Sequence, residues 1–230
     1  LNNIVKTKKF IDTVSELKIK NFIFLSSSNV YSENKNRYSE NDHTNPKNYY
    51  GKTKLAIEKF LLDNKNIFHN LIILRLFNVV GLTKKFTPMN FGDLKYQRLL
   101  FKVFYKLKKK SYIELNYLNI KKDKMIFPSR DFIDIRDFLK LIIKINKSFL
   151  KENKKKIYNV GCGISYQLND VIKKIKSKSK LIISYKKNHK KEYEHTKANI
   201  TKVKNDFNWS PQKKIKEILN SYHKNLVLKY

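Results

Sequence analysis

The order of apolar and polar positions along the chain predicts an α/β protein. Residues 21–25 (Asn-Phe-Ile-Phe-Leu) and 71–76 (Leu-Ile-Ile-Leu-Arg-Leu) are short apolar runs, which are typical of strands buried in a parallel sheet. Further strands are predicted at 112–117 and 157–160, and apolar residues at helical spacing predict helices at 4–18, 48–65, 94–108, 134–147, 166–176, 199–206 and 212–227. Strands that alternate with helices favour a parallel sheet covered by helices.

Polar residues that could perform chemistry follow the first strand. Ser27 lies at its carboxyl end, and Tyr50 and Lys54 lie one turn apart on one face of the next helix. An ammonium group near a phenol stabilises the phenolate, and a serine hydroxyl can bond both the phenol and a substrate hydroxyl. Such a set can take a proton from an alcohol while hydride leaves the same carbon. Tyr-x-x-x-Lys alone is a weak signal, because the chain has 14 tyrosines and many lysines.

The residues around this pair make the signal specific. Residues 22–31, Glu40, Pro46 and residues 50–58 resemble the core of the extended short-chain dehydrogenase family, the NAD-dependent sugar-nucleotide epimerases and dehydratases. The resemblance continues, in the family's order, at 74–81, 130–137, 158–163 and 208–211. These motifs together cover nearly the whole chain.

The resemblance implies a role for each of several residues. The catalytic group would be Ser27, Tyr50 and Lys54; NAD would be contacted by Asn3, Tyr50, Lys54 and Phe77; the nucleotide sugar would be contacted by Ser27, Asn78, Arg98, Tyr117 and Arg130. Plainer alternatives stay open at this point. Phe77 could be a core residue, Arg130 could form a surface ion pair with Asp131, and Ser26 and Ser28 could be ordinary strand-end serines. Cys162 and the five histidines favour structural or surface roles, so no metal site is predicted.

The family's first half has no counterpart in this sequence. The glycines at 51, 81, 92, 161 and 163 do not form a G-x-x-G-x-x-G loop, which binds the cofactor diphosphate. The resemblance therefore implies a partial Rossmann domain that lacks its N-terminal strands, and poor NAD binding by this chain alone. We expect residues 1–81, with contributions from about 131–160, in this NAD-binding domain. Residues 82–130 and 161–230 are expected to form a smaller α/β substrate domain.

Two features favour epimerisation within the family. Dehydratases of the family carry an Asp-Glu pair where this chain has Ser28 and Asn29, and neither residue can act as the acid for water elimination. The long stretch from Ile113 to Ser129 resembles the hairpin of UDP-glucose 4-epimerases, which implies a 4-keto sugar intermediate. The alternatives are another NDP-sugar epimerase or dehydratase, and an inactive fragment that keeps only a nucleotide-sugar pocket. The resemblance also implies a homodimer through a helical bundle that includes residues 48–65.

The net charge of +32 raises the possibility of nucleic-acid binding. Only five of the 51 basic residues are arginine, the residue best suited to bind phosphate in a bidentate manner. The scattered lysines therefore favour compositional drift over a nucleic-acid surface. Neither a membrane span nor a signal peptide is predicted, and a single cysteine fits a reducing cytoplasm.

Overall fold

Helices and strands alternate along the chain. The structure is a computed structural model that describes residues 2–32, 35–64, 66–81, 99–108, 112–149, 155–176, 182–188 and 193–224. The helices are α1 (Asn2–Glu16), α2 (Tyr49–Asp63), α3 (Leu99–Lys108), α4 (Ile135–Ser148), α5 (Leu168–Lys176), α6 (Thr201–Phe207) and α7 (Ile215–Tyr222), with a 3-10 turn at Ser28–Val30. The strands are β1 (Asn21–Ser27), β2 (Asn70–Leu76), β3 (Asn78–Val80), β4 (Tyr112–Tyr117), β5 (Asn119–Lys121), β6 (Lys124–Ile126), β7 (Ser129–Asp134), β8 (Lys155–Val160), β9 (Ser165–Gln167) and β10 (Ile182–Lys187).

A parallel sheet in the order β1-β2-β8 places the polar strand ends side by side. Ser27 is opposite Leu76, and Leu76 is opposite Val160, so the three strands end at one edge. Ligands of open parallel sheets bind outside the carboxyl ends of the strands. The register therefore brings the segments after β1, β2 and β8 to the edge where a ligand would bind.

The central strand β2 has a buried layer on each of its faces. Leu71 and Ile73 pack into a cluster with residues of α1 and α2, such as Ile11 and Leu61. Ile72 and Leu74 point to the opposite face, into a cluster formed largely by α4, α6 and the segments around the site. This alternation explains the apolar run at residues 71–74 of β2, because a strand covered on both faces has no solvent side.

The rest of the described structure consists of shorter sheets and a third hydrophobic cluster. β3 pairs in parallel with β7, and β7 pairs antiparallel with β9. β4 pairs in parallel with β10, and β5 and β6 form an antiparallel hairpin. The third cluster joins α3, α5 and α7 with apolar residues of β4 and β7.

The start of α2 is fixed by a side-chain cap. Asn48 has an extended backbone, and its side-chain oxygen accepts a hydrogen bond of 2.7 Å from the Gly51 N–H. Asparagine is among the best residues for this position, because its side chain satisfies an N–H that has no partner within the helix. The cap places Tyr50 in the first turn of α2, at the end of the helix near the carboxyl edge of the sheet.

The α/β fold with a parallel sheet is confirmed, and most predicted elements lie within a few residues of their positions. Residues 166–167 were predicted as helix, but they belong to β9, because they pair with Ser129 and Arg130. The predicted helix at 212–227 begins three residues later, at Ile215, and residues 225–227 of that prediction lie outside the described residues. Residues 94–98 of the predicted helix 94–108 lie outside the described residues. The division into an incomplete cofactor domain and a substrate domain stays a prediction. Among the described residues, no helix is both long and apolar enough to cross a membrane.

Candidate active site

A cavity of about 580 Å³ lies at the carboxyl edge of the β1-β2-β8 sheet. Its lining combines strand-end residues with residues of the shorter sheets. The described lining residues are Ser26, Ser27, Ser28, Asn29, Asn48, Tyr50, Leu76, Phe77, Asn78, Val79, Val80, Leu99, Leu100, Glu114, Leu115, Asn116, Pro128, Arg130, Phe132, Leu168, Tyr193 and Thr196. Five of the predicted site residues, Ser27, Tyr50, Phe77, Asn78 and Arg130, thus meet at one cavity.

Ser27 ends β1 and begins the 3-10 turn at Ser28–Val30. Its side-chain oxygen accepts a 3.2 Å hydrogen bond from the Asn29 N–H, and the residue is 8% exposed. The turn uses only an acceptor lone pair of this hydroxyl, so its hydrogen can still be donated to a ligand.

Tyr50 and Lys54 extend from the first two turns of α2. Tyr50 is 51% exposed and lines the cavity. Lys54 Nζ lies 5.8 Å from the centre of the Tyr50 ring and donates a 2.8 Å hydrogen bond to the Leu25 carbonyl. Burial lowers the pKa of Lys54 from its usual range. The lysine is not among the described lining residues, and it supports the tyrosine from the side of β1.

Phe77 and Asn78 follow β2 directly. Phe77 is buried within the cluster that includes Tyr38, and it also lines the cavity, so its roles as a core residue and as a wall of the site coexist. The Asn78 side chain donates a 3.1 Å hydrogen bond to the Asp131 carbonyl, which ties the segment after β2 to β7.

Arg130 and Asp131 point to different surroundings from adjacent positions in β7. Arg130 Nη1 donates to the Ser129 carbonyl at 2.8 Å and to the Tyr193 carbonyl at 2.7 Å. Asp131 is fully buried and accepts hydrogen bonds from three backbone amides, those of Cys162, Gly163 and Ala198. The Asp131 carboxylate thus holds the turn after β8 in place, while Arg130 stays at the cavity wall.

Besides Lys54, three predicted site residues are not placed in the cavity by the described structure. Arg98 and the side chain of Asn3 lie outside the described residues. Tyr117 is not among the described residues that line the cavity; its ring packs edge-on against Phe127, with 6.4 Å between centroids. Its carbonyl accepts a 2.8 Å hydrogen bond from the Asn188 N–H. The predicted contact of Tyr117 with the nucleotide sugar therefore stays a prediction.

Sequence reasoning missed Tyr193, which joins both sides of the cavity. Its hydroxyl donates to the Tyr31 carbonyl at 2.8 Å, while its own carbonyl accepts from Arg130. Burial raises the pKa of the Tyr193 hydroxyl, so the group stays a neutral donor. No motif marked this residue, because it acts on the backbone of a segment more than 150 positions earlier in the chain.

Cys162 and Ser26 were both expected to have ordinary structural roles, and the structure agrees with this for Cys162 but gives Ser26 a specific partner. Burial raises the pKa of Cys162 to about 12, which agrees with its assignment as an inert turn residue. Ser26, in contrast, is buried and bonds the Glu58 carboxylate, so it has a specific partner that the motif alone did not reveal.

The arrangement supplies the groups needed to deprotonate an alcohol. The serine hydroxyl at the strand end can orient a substrate hydroxyl. The phenol that faces the cavity, ionised with the help of the ammonium group beside it, can accept the proton of that hydroxyl. Arg130, at the same cavity, offers a cation for an anionic part of a ligand. Glu114 is the only carboxylate among the described lining residues.

Comparison with known proteins identifies relatives that share this pattern. The model of the NAD dependent epimerase/dehydratase family matches residues 1–161. The chain is 32% identical over 145 residues to an uncharacterised UDP-glucose epimerase, YtcB, of Bacillus subtilis, which covers 63% of this chain and 40% of that protein. It is 28% identical over 202 residues to a UDP-glucose 4-epimerase of Caenorhabditis elegans, which covers 76% of this chain and 53% of that protein. The chain thus spans about half the length of the curated relatives it matches.

A solved structure shows the same fold at low sequence identity. The UDP-glucuronic acid 4-epimerase of Bacillus cereus, in complex with UDP-glucuronic acid and NAD, superposes with a TM-score of 0.80. The match covers 99% of this chain and 68% of that one, at 23% identity. At this identity the likeness shows the fold alone.

Proposed function

Because the chain belongs to the NAD-dependent epimerase/dehydratase family, we propose that it carries the catalytic part of a sugar-nucleotide epimerase. The observation that carries the proposal is that Ser27, Tyr50 and Arg130 line one cavity beside Lys54. The two curated relatives are UDP-glucose epimerases by name, which supports a UDP-hexose as the substrate and C4 as the centre that is inverted.

The residues present fit the nicotinamide end of NAD. Tyr50, Lys54 and Ser27 provide hydroxyl and ammonium groups at a sheet edge, next to the aromatic wall of Phe77. No G-x-x-G-x-x-G loop for the diphosphate occurs in the 230 residues. NAD, when bound, supplies the chemistry that removes hydride from a sugar carbon and returns it.

The protein's own groups handle the proton of the sugar hydroxyl. Ser27 orients the hydroxyl, and the Lys54 ammonium stabilises Tyr50 as the phenolate. The phenolate oxygen accepts the hydroxyl proton, which makes Tyr50 a neutral phenol, and later returns that proton. Arg130 and Asn78 line the same cavity, and they bind the nucleotide diphosphate. Ser28 and Asn29 offer no acid for water elimination, so the chemistry stops at epimerisation.

A second candidate is a nucleotide-sugar-binding protein without turnover. This candidate concerns the 230 residues tested alone, which contain no glycine-rich loop to bind the NAD diphosphate. Both candidates bind UDP-sugars, and only the first interconverts them. The predicted homodimer also stays a prediction, which light scattering on the purified protein can check.

Two measurements on the same preparation separate these candidates. Calorimetry with UDP reports binding, and incubation with UDP-galactose and NAD, followed by chromatography, reports conversion to UDP-glucose. Binding with conversion supports the epimerase. Binding without conversion at saturating NAD supports the second candidate, and an absence of UDP binding contradicts both.

A further inference from the structure

A buried polar cluster lies directly beneath the candidate catalytic residues. Its members are Ser26 of β1, Glu58 of α2 and Arg75 of β2, which are 2%, 1% and 4% exposed. Ser26 Oγ donates to Glu58 Oε1. Arg75 donates to the same carboxylate through Nε at 3.1 Å and Nη2 at 2.7 Å. Three separate elements are thus joined at one carboxylate.

The cluster continues the catalytic face of α2. Tyr50, Lys54 and Glu58 are spaced four residues apart, so they lie on one face of the helix in successive turns. Lys54 bonds the Leu25 carbonyl, and Glu58 accepts from the hydroxyl of the next residue, Ser26. The helix is therefore held to two consecutive residues of β1, immediately before Ser27.

Arg75 extends the same network to the loop that leads into α2. Its Nη1 donates a 3.0 Å hydrogen bond to the Glu40 carbonyl, and its guanidinium lies 4.9 Å from the centre of the Tyr31 ring. The Glu40 carboxylate in turn accepts from the Asn159 N–H of β8 at 2.8 Å. All three nitrogens of the guanidinium have acceptors, and its flat fork fixes their directions.

Stability alone does not explain this cluster. A buried ion pair costs several kcal/mol of desolvation per ion, and apolar residues of similar volume are often as stable or more stable. Hydrogen bonds differ from apolar contacts because they fix direction and register. This network joins α2 to the end of β1, on the same helix face that carries Tyr50 and Lys54.

We propose that Ser26, Glu58 and Arg75 are positioning residues that set the pitch of α2 against β1 and so align Tyr50 with Ser27. The catalytic consequence rests on the proposed epimerase function, whereas the structural consequence does not. Errors of about 1 Å in catalytic geometry cost on the order of 100-fold in rate. The cluster would therefore affect turnover much more than binding of the nucleotide, because the proposed diphosphate contacts, Arg130 and Asn78, are not members of the cluster.

The test replaces the ion pair by an apolar pair and follows the environment of Tyr50. The protein is labelled with 3-fluorotyrosine, and the ¹⁹F resonance of Tyr50 is assigned by its loss in Tyr50→Phe. The variants are Glu58→Gln, the double variant Glu58→Leu/Arg75→Met and Ser26→Ala. Glu217→Gln is the matched control, because it removes a carboxylate of α7 from an exposed ion pair with Lys213, while the glutamine oxygen can still accept the Lys214 N–H at the start of the helix.

We expect Glu58→Gln to melt well below the wild type, because it leaves the Arg75 charge buried without its partner. The double variant should regain the wild-type melting temperature, yet shift or broaden the Tyr50 resonance. Its kcat should fall by about 100-fold, with a KM for the UDP-sugar within about threefold. The control should match the wild type in every measurement.

A double variant that keeps both the Tyr50 resonance and kcat overturns the proposal. If the double variant does not fold, Ser26→Ala decides, because it removes one hydroxyl from the same network: an unchanged Tyr50 resonance then overturns the proposal. If the wild type shows no epimerase activity, the proposed function fails. The ¹⁹F spectra and melting temperatures still decide whether the cluster positions Tyr50.

Discussion

Gly51 allows α2 to approach the turn after Ser27, and adding one methyl group at this position tests that geometry. A Cβ built on Gly51 would lie 2.1 Å from the Asn29 carbonyl oxygen and 2.8 Å from Pro46 Cβ. Ordinary contact begins at 3.4 Å, so the helix and the turn must separate by about 1.3 Å. The atom that the methyl group meets is backbone, which cannot rotate away as a flexible side chain could.

The magnitude follows from two opposing effects. Overpacking costs about 1–3 kcal/mol, and a clash with backbone takes the upper end of that range. Alanine returns about 1 kcal/mol through its higher helix propensity. We therefore expect Gly51→Ala to lose about 2 kcal/mol in the free energy of unfolding, which lowers Tm by about 4–8 °C in a chain of this size.

The assay is thermal unfolding, with Lys52→Ala as the control. Lys52 is the next residue of α2 and is exposed, so its replacement tests the general effect of alanine in this helix. The control should melt within about 2 °C of the wild type. A Gly51→Ala variant that melts at or above the control would refute the close approach of α2 to Asn29.

Three further predictions test separate parts of the site. Burial raises the pKa of the Cys162 thiol to about 12, from an ordinary 9.0, so the native protein at pH 8 should hold on the order of 1,000-fold less thiolate and resist iodoacetamide until it is unfolded; rapid alkylation of the native protein would contradict this. Asp131→Ala should cost about 3 kcal/mol or more in the free energy of unfolding, measured in urea, since one buried and two partly buried backbone amides lose their acceptor. A variant as stable as wild type would show that the turn after β8 does not depend on this carboxylate. Arg130→Gln should weaken UDP binding by about 10-fold or more in calorimetry, whereas Arg37→Gln, a change outside the described cavity lining, should leave it unchanged; equal affinities for the two variants would contradict the assigned diphosphate contact.

Local signals in the sequence were sufficient where one strand or helix determines its own environment. The apolar run of β2 predicted a buried strand, and the four-residue spacing of Tyr50 and Lys54 predicted that both lie on one face of α2, where Lys54 Nζ is 5.8 Å from the centre of the Tyr50 ring. Strand β10 was not predicted, because its short apolar start runs into exposed lysines that suggested only solvated surface. Residues 166–167 were predicted as helix because they adjoin α5, while their strand pairing with Ser129 and Arg130 depends on distant residues.

Long-range polar contacts were the least predictable part of the site. Glu58 lies in the predicted helix α2, but its partner Arg75 lies in strand β2. The spacing of residues along a helix therefore cannot predict this ion pair. Tyr193 bonds a carbonyl 162 positions away and belongs to no recognised motif. The roles of such residues can be recognised only in the folded structure, where their hydrogen-bond partners are close to them.

Proton transfer by Tyr50 is the step on which the proposed epimerase function depends most directly. The most direct measurement is the rate of UDP-galactose conversion to UDP-glucose by the wild type and by Tyr50→Phe at saturating NAD, with UDP affinity measured on both. Loss of the phenolic oxygen should lower kcat by about 100-fold or more, because general base catalysis contributes roughly that much. UDP affinity should stay within about threefold, since the ring remains. A Tyr50→Phe variant that retains the wild-type rate would contradict the account.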